Sequence, residues 1–166
     1  MEFRKVGFGG SCHWCTEAIF QSLIGVTQVE QGWISSKEYS ILSEGVLVHF
    51  NPNIISLEVL VEIHLHTHSC TSTHSMREKY RSAIYVYDNE QNDKAQQAII
   101  TLQKYFEDMI ITKVLSFAEF KINKDQYLDY YYNNPEKAFC KNKIEPKLKK
   151  LISMFAKRVD NSSLKL

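Results

Sequence analysis

The chain reads as an α+β protein in which helices pack on a mixed β-sheet as a sandwich. Three observations predict it. Short runs rich in β-branched and aromatic residues lie between glycine, asparagine and proline turns. Apolar residues recur at helical spacing in the segments between those runs. The two kinds follow one another as strand, helix, strand, strand, helix, strand, with one more helix and strand interleaved or appended, an order that builds a ferredoxin-like core.

The run at 3–8 is of β type and ends in Gly9 and Gly10. A helix is expected over 15–23, where Ala18, Ile19 and Leu23 fall at helical spacing and Gly25 stops it. Strands follow at 26–34 and 45–50, separated by a polar loop at 35–43. Asn51-Pro52-Asn53 is turn chemistry, and Ser56 caps a helix through His64 that sets Leu57, Leu60, Val61 and His64 on one face. No periodicity marks 67–79. A strand at 82–87, a long amphipathic helix at 89–106 and a core strand at 110–115 complete the sheet. Four tyrosines fall within 124–134, Asn134-Pro135 breaks the chain direction, 144–151 reads as a basic surface helix, and 160–166 as a frayed end.

The 166 residues are of one-domain length, and 44% hydrophobic content is enough for a core. We read 1–166 as a single domain with a basic C-terminal tail over about 141–166. Twenty basic residues stand against nineteen acidic ones, a net charge of +1. That balance gives no pull toward nucleic acid or an anionic membrane, and leaves a small neutral substrate or a protein partner. Neither a signal-like apolar run nor the roughly 18 apolar residues of a spanning helix occurs, so a soluble cytoplasmic protein is expected. Four cysteines, two of them three apart, do not make a secreted disulfide framework. In a reducing compartment they read as redox chemistry or metal ligation.

The stretch Gly9-Gly10-Ser11-Cys12-His13-Trp14-Cys15-Thr16-Glu17 is where a reactive thiol would be built. Small residues bring the backbone close, and a cysteine sits at a strand-to-helix junction. Amide N–H groups and the positive end of the helix dipole stabilise a thiolate there, and the thiolate is the nucleophile. His64, His66, His68 and His74 crowd one region, but no compact set of acids or paired cysteines joins them, so no metal site is expected.

That stretch resembles the active-site signature of the A-type methionine sulfoxide reductases, Gly-Cys-Phe-Trp-Gly-x-Glu. Cys12, Trp14 and Glu17 match it, while Ser11, His13 and Cys15 stand where the family has Gly, Phe, and Gly or sometimes Cys. Tyr80-Arg81-Ser82-Ala83-Ile84-Tyr85 matches a second family block, and Glu44 with Pro52 eight residues later a third. The resemblance runs from about 7 to 148. It implies reduction of the S epimer of methionine sulfoxide, free or in peptides. The Cys12 thiolate attacks the sulfoxide sulfur, oxygen leaves the methionine, and Cys12 becomes a sulfenic acid. Thioredoxin or another dithiol would recharge the thiol, with no cofactor.

The same resemblance assigns the remaining roles. Glu44 is the acid that protonates the departing oxygen, its neutral form favoured by desolvation against aromatic walls. Trp14 and His13 form the cage for the substrate methyl group. Tyr80 donates its hydroxyl to the sulfoxide oxygen, Ser75 replaces a family Asp five residues before it, and Tyr39 stands in for a further family tyrosine. Two thiols compete to resolve the sulfenic acid: Cys15, one turn from Cys12, and Cys140, in an Asn-Pro-Glu-Lys-Ala-Phe-Cys block that resembles a family one. Cys70 is third. The family's Gly-rich tail and Tyr-His-Gln motif are absent, with Gln126-Tyr127-Leu128 in the latter's place. Two other functions compete: a thiol–disulfide oxidoreductase using Cys12-His13-Trp14-Cys15, and a non-catalytic module that binds methionine sulfoxide.

Overall fold

Five strands form one mixed sheet: β1 (Arg4–Gly9), β2 (Val26–Ser36), β3 (Ser43–Phe50), β4 (Ala83–Val86) and β5 (Lys113–Ile122). The structure, a computed structural model, describes residues 3–164 and 166. The strand order is β1-β3-β2-β5-β4, and β4 pairs back onto β1, so the sheet closes into a barrel. β4 and β5 are parallel and the other pairs antiparallel. The helices are α1 (His13–Gln21), α2 (Leu57–Thr67), α3 (Asn89–Leu102), the single turn α4 (Tyr130–Asn133) and α5 (Glu145–Phe155).

The α+β class and the mixed sheet hold, but a closed barrel takes the place of the expected sandwich. β5 is the reason. It starts at Lys113 rather than 110 and runs on to Ile122, its first residues pairing with β4 (Ala83↔Lys113) and its last with β2 (Gly32↔Ile122). Glu119, Lys121 and Ile122 face solvent, so this half of the strand is buried on one side only, by Phe117 and Phe120. Gly32 permits the approach: a Cβ there would lie 2.1 Å from the Lys121 carbonyl oxygen.

The barrel is apolar on both faces. Ile34, Leu47, Ala83, Tyr85 and Leu115 fill its interior. Val6, Phe8, Val46, Val48, Ile84 and Val86 point outward into a larger core shared with α1, α2, α3 and α5. Burial on both faces explains why β3 and β4 read as continuous apolar runs.

Element ends follow local chemistry. Ser56 caps α2 as expected, its Oγ accepting from the Val59 N–H at 3.2 Å, but the helix runs on to Thr67. α1 starts two residues before the predicted position. The helix expected over 89–106 is α-helical to Leu102 and then tightens into a 3₁₀ turn (Gln103–Tyr105). The expected surface helix is instead anchored: Ile144, Leu148 and Leu151 are fully buried while Lys149 and Lys150 face solvent. Within 67–79 a 3₁₀ turn (Ser75–Glu78) is held by Arg77, whose guanidinium donates to the carbonyls of Gly10, Ser69, Ser72 and Tyr80. Asn161–Ser163 form a 3₁₀ turn where a frayed end was expected, and Lys165 of that segment lies outside the described residues. Among the described residues no helix is long and apolar enough to cross a membrane.

Candidate active site

Cys12 is the N-cap of α1, at the point where β1 has ended and the chain turns into the helix. Its carbonyl accepts from the N–H groups of Cys15 and Thr16, which fixes the first turn. The Trp14 N–H reaches the Cys12 sulfur, and that contact favours the thiolate. Gly10 shapes the approach: its φ is +145°, and a Cβ there would meet the His68 ring at 2.5 Å. His68 cannot move aside, because its ring nitrogens engage the His64 carbonyl and the Ser82 hydroxyl, while His64 Nε2 donates to the Gly9 carbonyl at 2.7 Å. His64 and His68 therefore brace the floor of the site, while His66 stacks on Phe106 and His74 caps the turn at Ser75–Glu78. Among the described residues no group of three or more His, Cys, Asp or Glu is placed to hold a metal ion.

Cys12 and Cys15 hydrogen-bond to one another. That bond pulls the Cys15 thiol below its ordinary value and, with burial, pushes Cys12 up. The ammonium groups of Lys147 and Lys143 act on Cys15 in the same direction. Cys140 is fully buried on the π-helical turn (Cys140–Ile144) before α5, its thiol raised first by burial and then by the nearby Cys15. Three of the four cysteines thus gather around the start of α1. Cys70 lies apart, its backbone bonded to His68 and Ile111.

Glu44 stands next to this turn. β2 and β3 pair Trp33 with Glu44, which brings the carboxyl over the helix start. Oε1 lies 3.1 Å from His13 Nε2 and 3.4 Å from the His13 backbone N–H. Oε2 has no hydrogen-bond partner among the described residues, and the Lys79 ammonium is 3.7 Å from it. The hydrogen bond to Tyr80 first, and Glu44 second, hold Lys79 above its ordinary value. The carboxyl lines a cavity of about 370 Å³ with Trp33, Ile41, Leu42, Ser75, Met76 and Lys79. Ser75 and Glu44 line the same cavity, and Tyr80 approaches through Lys79. Tyr39 sits on a neighbouring cavity of about 640 Å³ with Ile41, Arg81 and Lys113. Its hydroxyl accepts from Lys113 at 2.6 Å and its ring lies under the Arg81 guanidinium.

Trp14 stacks on Tyr130 with ring centres 3.9 Å apart and planes 3° from parallel, with Phe139 edge-on at 5.4 Å. Glu17 makes this possible. Its buried carboxylate accepts from the N–H groups of Asp129 and Tyr130, fastening the tyrosine segment to α1, and burial raises its pKa to about 7. Residues the sequence reading passed over complete the site. Trp33 contacts the His13 ring edge-on at 5.2 Å. Asn123 and Gln31 join by a 2.6 Å bond, and Asn123 Nδ2 lies 3.5 Å from His13 Nε2. Nothing in the sequence singled out Gln31, which is fully buried in a strand that also carries Thr27, Gln28 and Glu30.

A family model described as peptide methionine sulfoxide reductase matches residues 4–159. A peptide methionine sulfoxide reductase MsrA from a Nitratiruptor species is 33% identical over 162 residues, covering 89% of this chain and 93% of the relative. Among solved structures, reduced Mxr1 from Saccharomyces cerevisiae superposes with a TM-score of 0.76 at 17% identity, over 84% of this chain and 90% of that one. Mxr1 in complex with Trx2 gives 0.63 at 16% identity, over 75% and 84%. The two structures share the fold, and the family match spans nearly the whole chain. The thiol at the start of α1, the carboxyl over it and the aromatic wall beside it therefore belong to a member of the peptide methionine sulfoxide reductase family.

Proposed function

We propose that the chain reduces the S epimer of methionine sulfoxide, free or in peptides, with Cys12 as nucleophile, Glu44 as acid and Tyr80 as a polar partner of the substrate oxygen. The observation that carries the reading is the convergence of Cys12, Cys15 and Glu44 at one helix N-terminus. Cys12, once its proton has left, gives two electrons as the thiolate to the sulfoxide sulfur. The S–O bond of the substrate breaks, its oxygen takes a proton from Glu44, and Cys12 is left as the sulfenic acid while methionine leaves reduced. Cys15 attacks that sulfenic acid, water departs, and a Cys12–Cys15 disulfide remains. Its place one turn away and its hydrogen bond to Cys12 support it over Cys140 as the resolving thiol.

The disulfide needs an external dithiol, and thioredoxin fits, as the yeast protein of the same fold is described in complex with Trx2. The electrons come from thiols throughout, so the reading needs no prosthetic group. Trp14, His13, Ser75 and Tyr39 complete the substrate side in this proposal. We read 1–166 as one cytoplasmic domain in which the strand order β4-β1-β3-β2 is a ferredoxin-like core closed by β5.

The separated epimers offered with a dithiol reductant test the proposal. Turnover of the S epimer alone, lost in Cys12→Ser and, with thioredoxin as the reductant, limited to about one equivalent in Cys15→Ser, is expected. Full turnover in Cys12→Ser would overturn the nucleophile. Multiple turnovers in Cys15→Ser with thioredoxin, lost in Cys140→Ser, would move the resolving role to Cys140.

A further inference from the structure

His13 stands where the family has phenylalanine, and its hydrogen bonds fix where its protons are. Nδ1 lies 2.8 Å from the Gly32 carbonyl, which can only accept, so Nδ1 carries a proton. Nε2 then has a lone pair unless the ring is charged. Asn123 presents its NH₂ to that nitrogen: its Oδ1 is taken by the Lys124 N–H and its Nδ2 donates to Gln31, which sets the amide's orientation. The ring is 5% exposed. A donor from Asn123 and a buried site both select the neutral imidazole. Two bare lone pairs at 3.1 Å would repel, so the contact between Nε2 and Glu44 Oε1 contains a proton, and with His13 neutral that proton is the carboxyl's.

We propose that His13 is a positioning residue for the acid: its Nε2 accepts the proton of Glu44, so that one proton is stored between imidazole and carboxyl at the edge of the substrate cavity. This inference rests on the catalytic reading for its purpose, and on geometry alone for its existence. As negative charge builds on the sulfoxide oxygen, rotation of the carboxyl presents the proton, and transfer leaves a carboxylate beside a neutral ring. Solvent restores the proton after the product leaves. A phenylalanine at this position offers a ring but no acceptor, so the pair is a feature of this chain's own sequence.

The groups facing the pair are few. From α1 come Cys12 and Cys15. The segment before β4 supplies the Lys79 ammonium with Tyr80 upon it. β2 and the residue after β5 supply the uncharged amides of Gln31 and Asn123, and Glu17 touches Gln31 at the far end of the network. Burial above all, and then Lys79, oppose a charged His13, while the hydrogen bond to the Gly32 carbonyl and Glu44 favour it; the ring is held below its ordinary value.

Nitrogen-15 NMR of histidine-labelled protein tests the assignment without any turnover. The expected His13 signals, assigned by their loss in His13→Phe or their movement in Glu44→Gln, are a protonated Nδ1 and a hydrogen-bonded, unprotonated Nε2 at pH 7. An imidazolium, or the tautomer with its proton on Nε2, would overturn the proposal. The pH profile of kcat/KM tests the purpose. Its alkaline limb should move to lower pH by about one unit in His13→Phe and His13→Gln, each profile read relative to that variant's own maximum. An unmoved limb in folded variants would reduce His13 to a wall of the cage. Absence of sulfoxide turnover in the wild type would defeat the catalytic reading while the NMR result still decided the pair.

Discussion

Trp14 lies flat on Tyr130 and edge-on to Phe139, so its removal empties the space between α1 and the tyrosine segment. Trp14→Ala should lower stability by about 3 kcal/mol in a urea titration. It should also raise KM for sulfoxide more than it lowers kcat; an unchanged KM would take Trp14 out of the substrate cage. Cys12 could be singled out from the sequence as a thiol at a helix start, whereas Trp14 and Glu44 came only through the family resemblance. Trp33, Gln31 and Asn123 could be read in neither way, since each acts only through a neighbour that the barrel brings to it. Gln31 and Asn123 are 92 positions apart and meet in one 2.6 Å bond.

At the scale of elements, Glu17 links α1 to the turn that carries Tyr130. Its folded pKa of about 7 lies above the ordinary carboxyl value of 4.5, so its contribution to stability is complete below about pH 4.5 and is lost as the pH rises through 7. Relative to Glu17→Gln, the wild type should lose stability between pH 5 and pH 8, by no more than about 3 kcal/mol. Urea midpoints of both proteins across that range check it, and parallel curves would refute it. His64 and His68 act in the opposite sense. Both are held below the ordinary imidazole value by burial, so what they contribute is present above about pH 6.5 and is lost on acidification. At α2 the Ser56 cap was evident in advance, and Ser56→Ala should cost about 1 kcal/mol by thermal melting with activity unchanged. The anchoring of α5 was hidden because Ile144, Leu148 and Leu151 are spaced among lysines that dominate the composition of the segment.

Over the whole molecule the decisive contact is the seam between β2 and β5. Gly32→Ala would drive a methyl group into the Lys121 carbonyl, so it should lower stability by about 3 kcal/mol or more in a denaturant titration. Because the Gly32 carbonyl also receives the His13 Nδ1 proton, the same substitution should disturb the His13 signals. The strands and most helices followed from apolar spacing, whereas barrel closure did not, because β5 pairs across a long separation with residues that half face water.

Both tryptophans of the chain belong to this site, one on Tyr130 and one on the His13 ring. All indole fluorescence therefore arises within contact distance of the reacting groups. Oxidation of Cys12, binding of a sulfoxide and protonation of His13 should each change emission with no competing signal from elsewhere, which gives the molecule a built-in optical gauge for following a single turnover in real time.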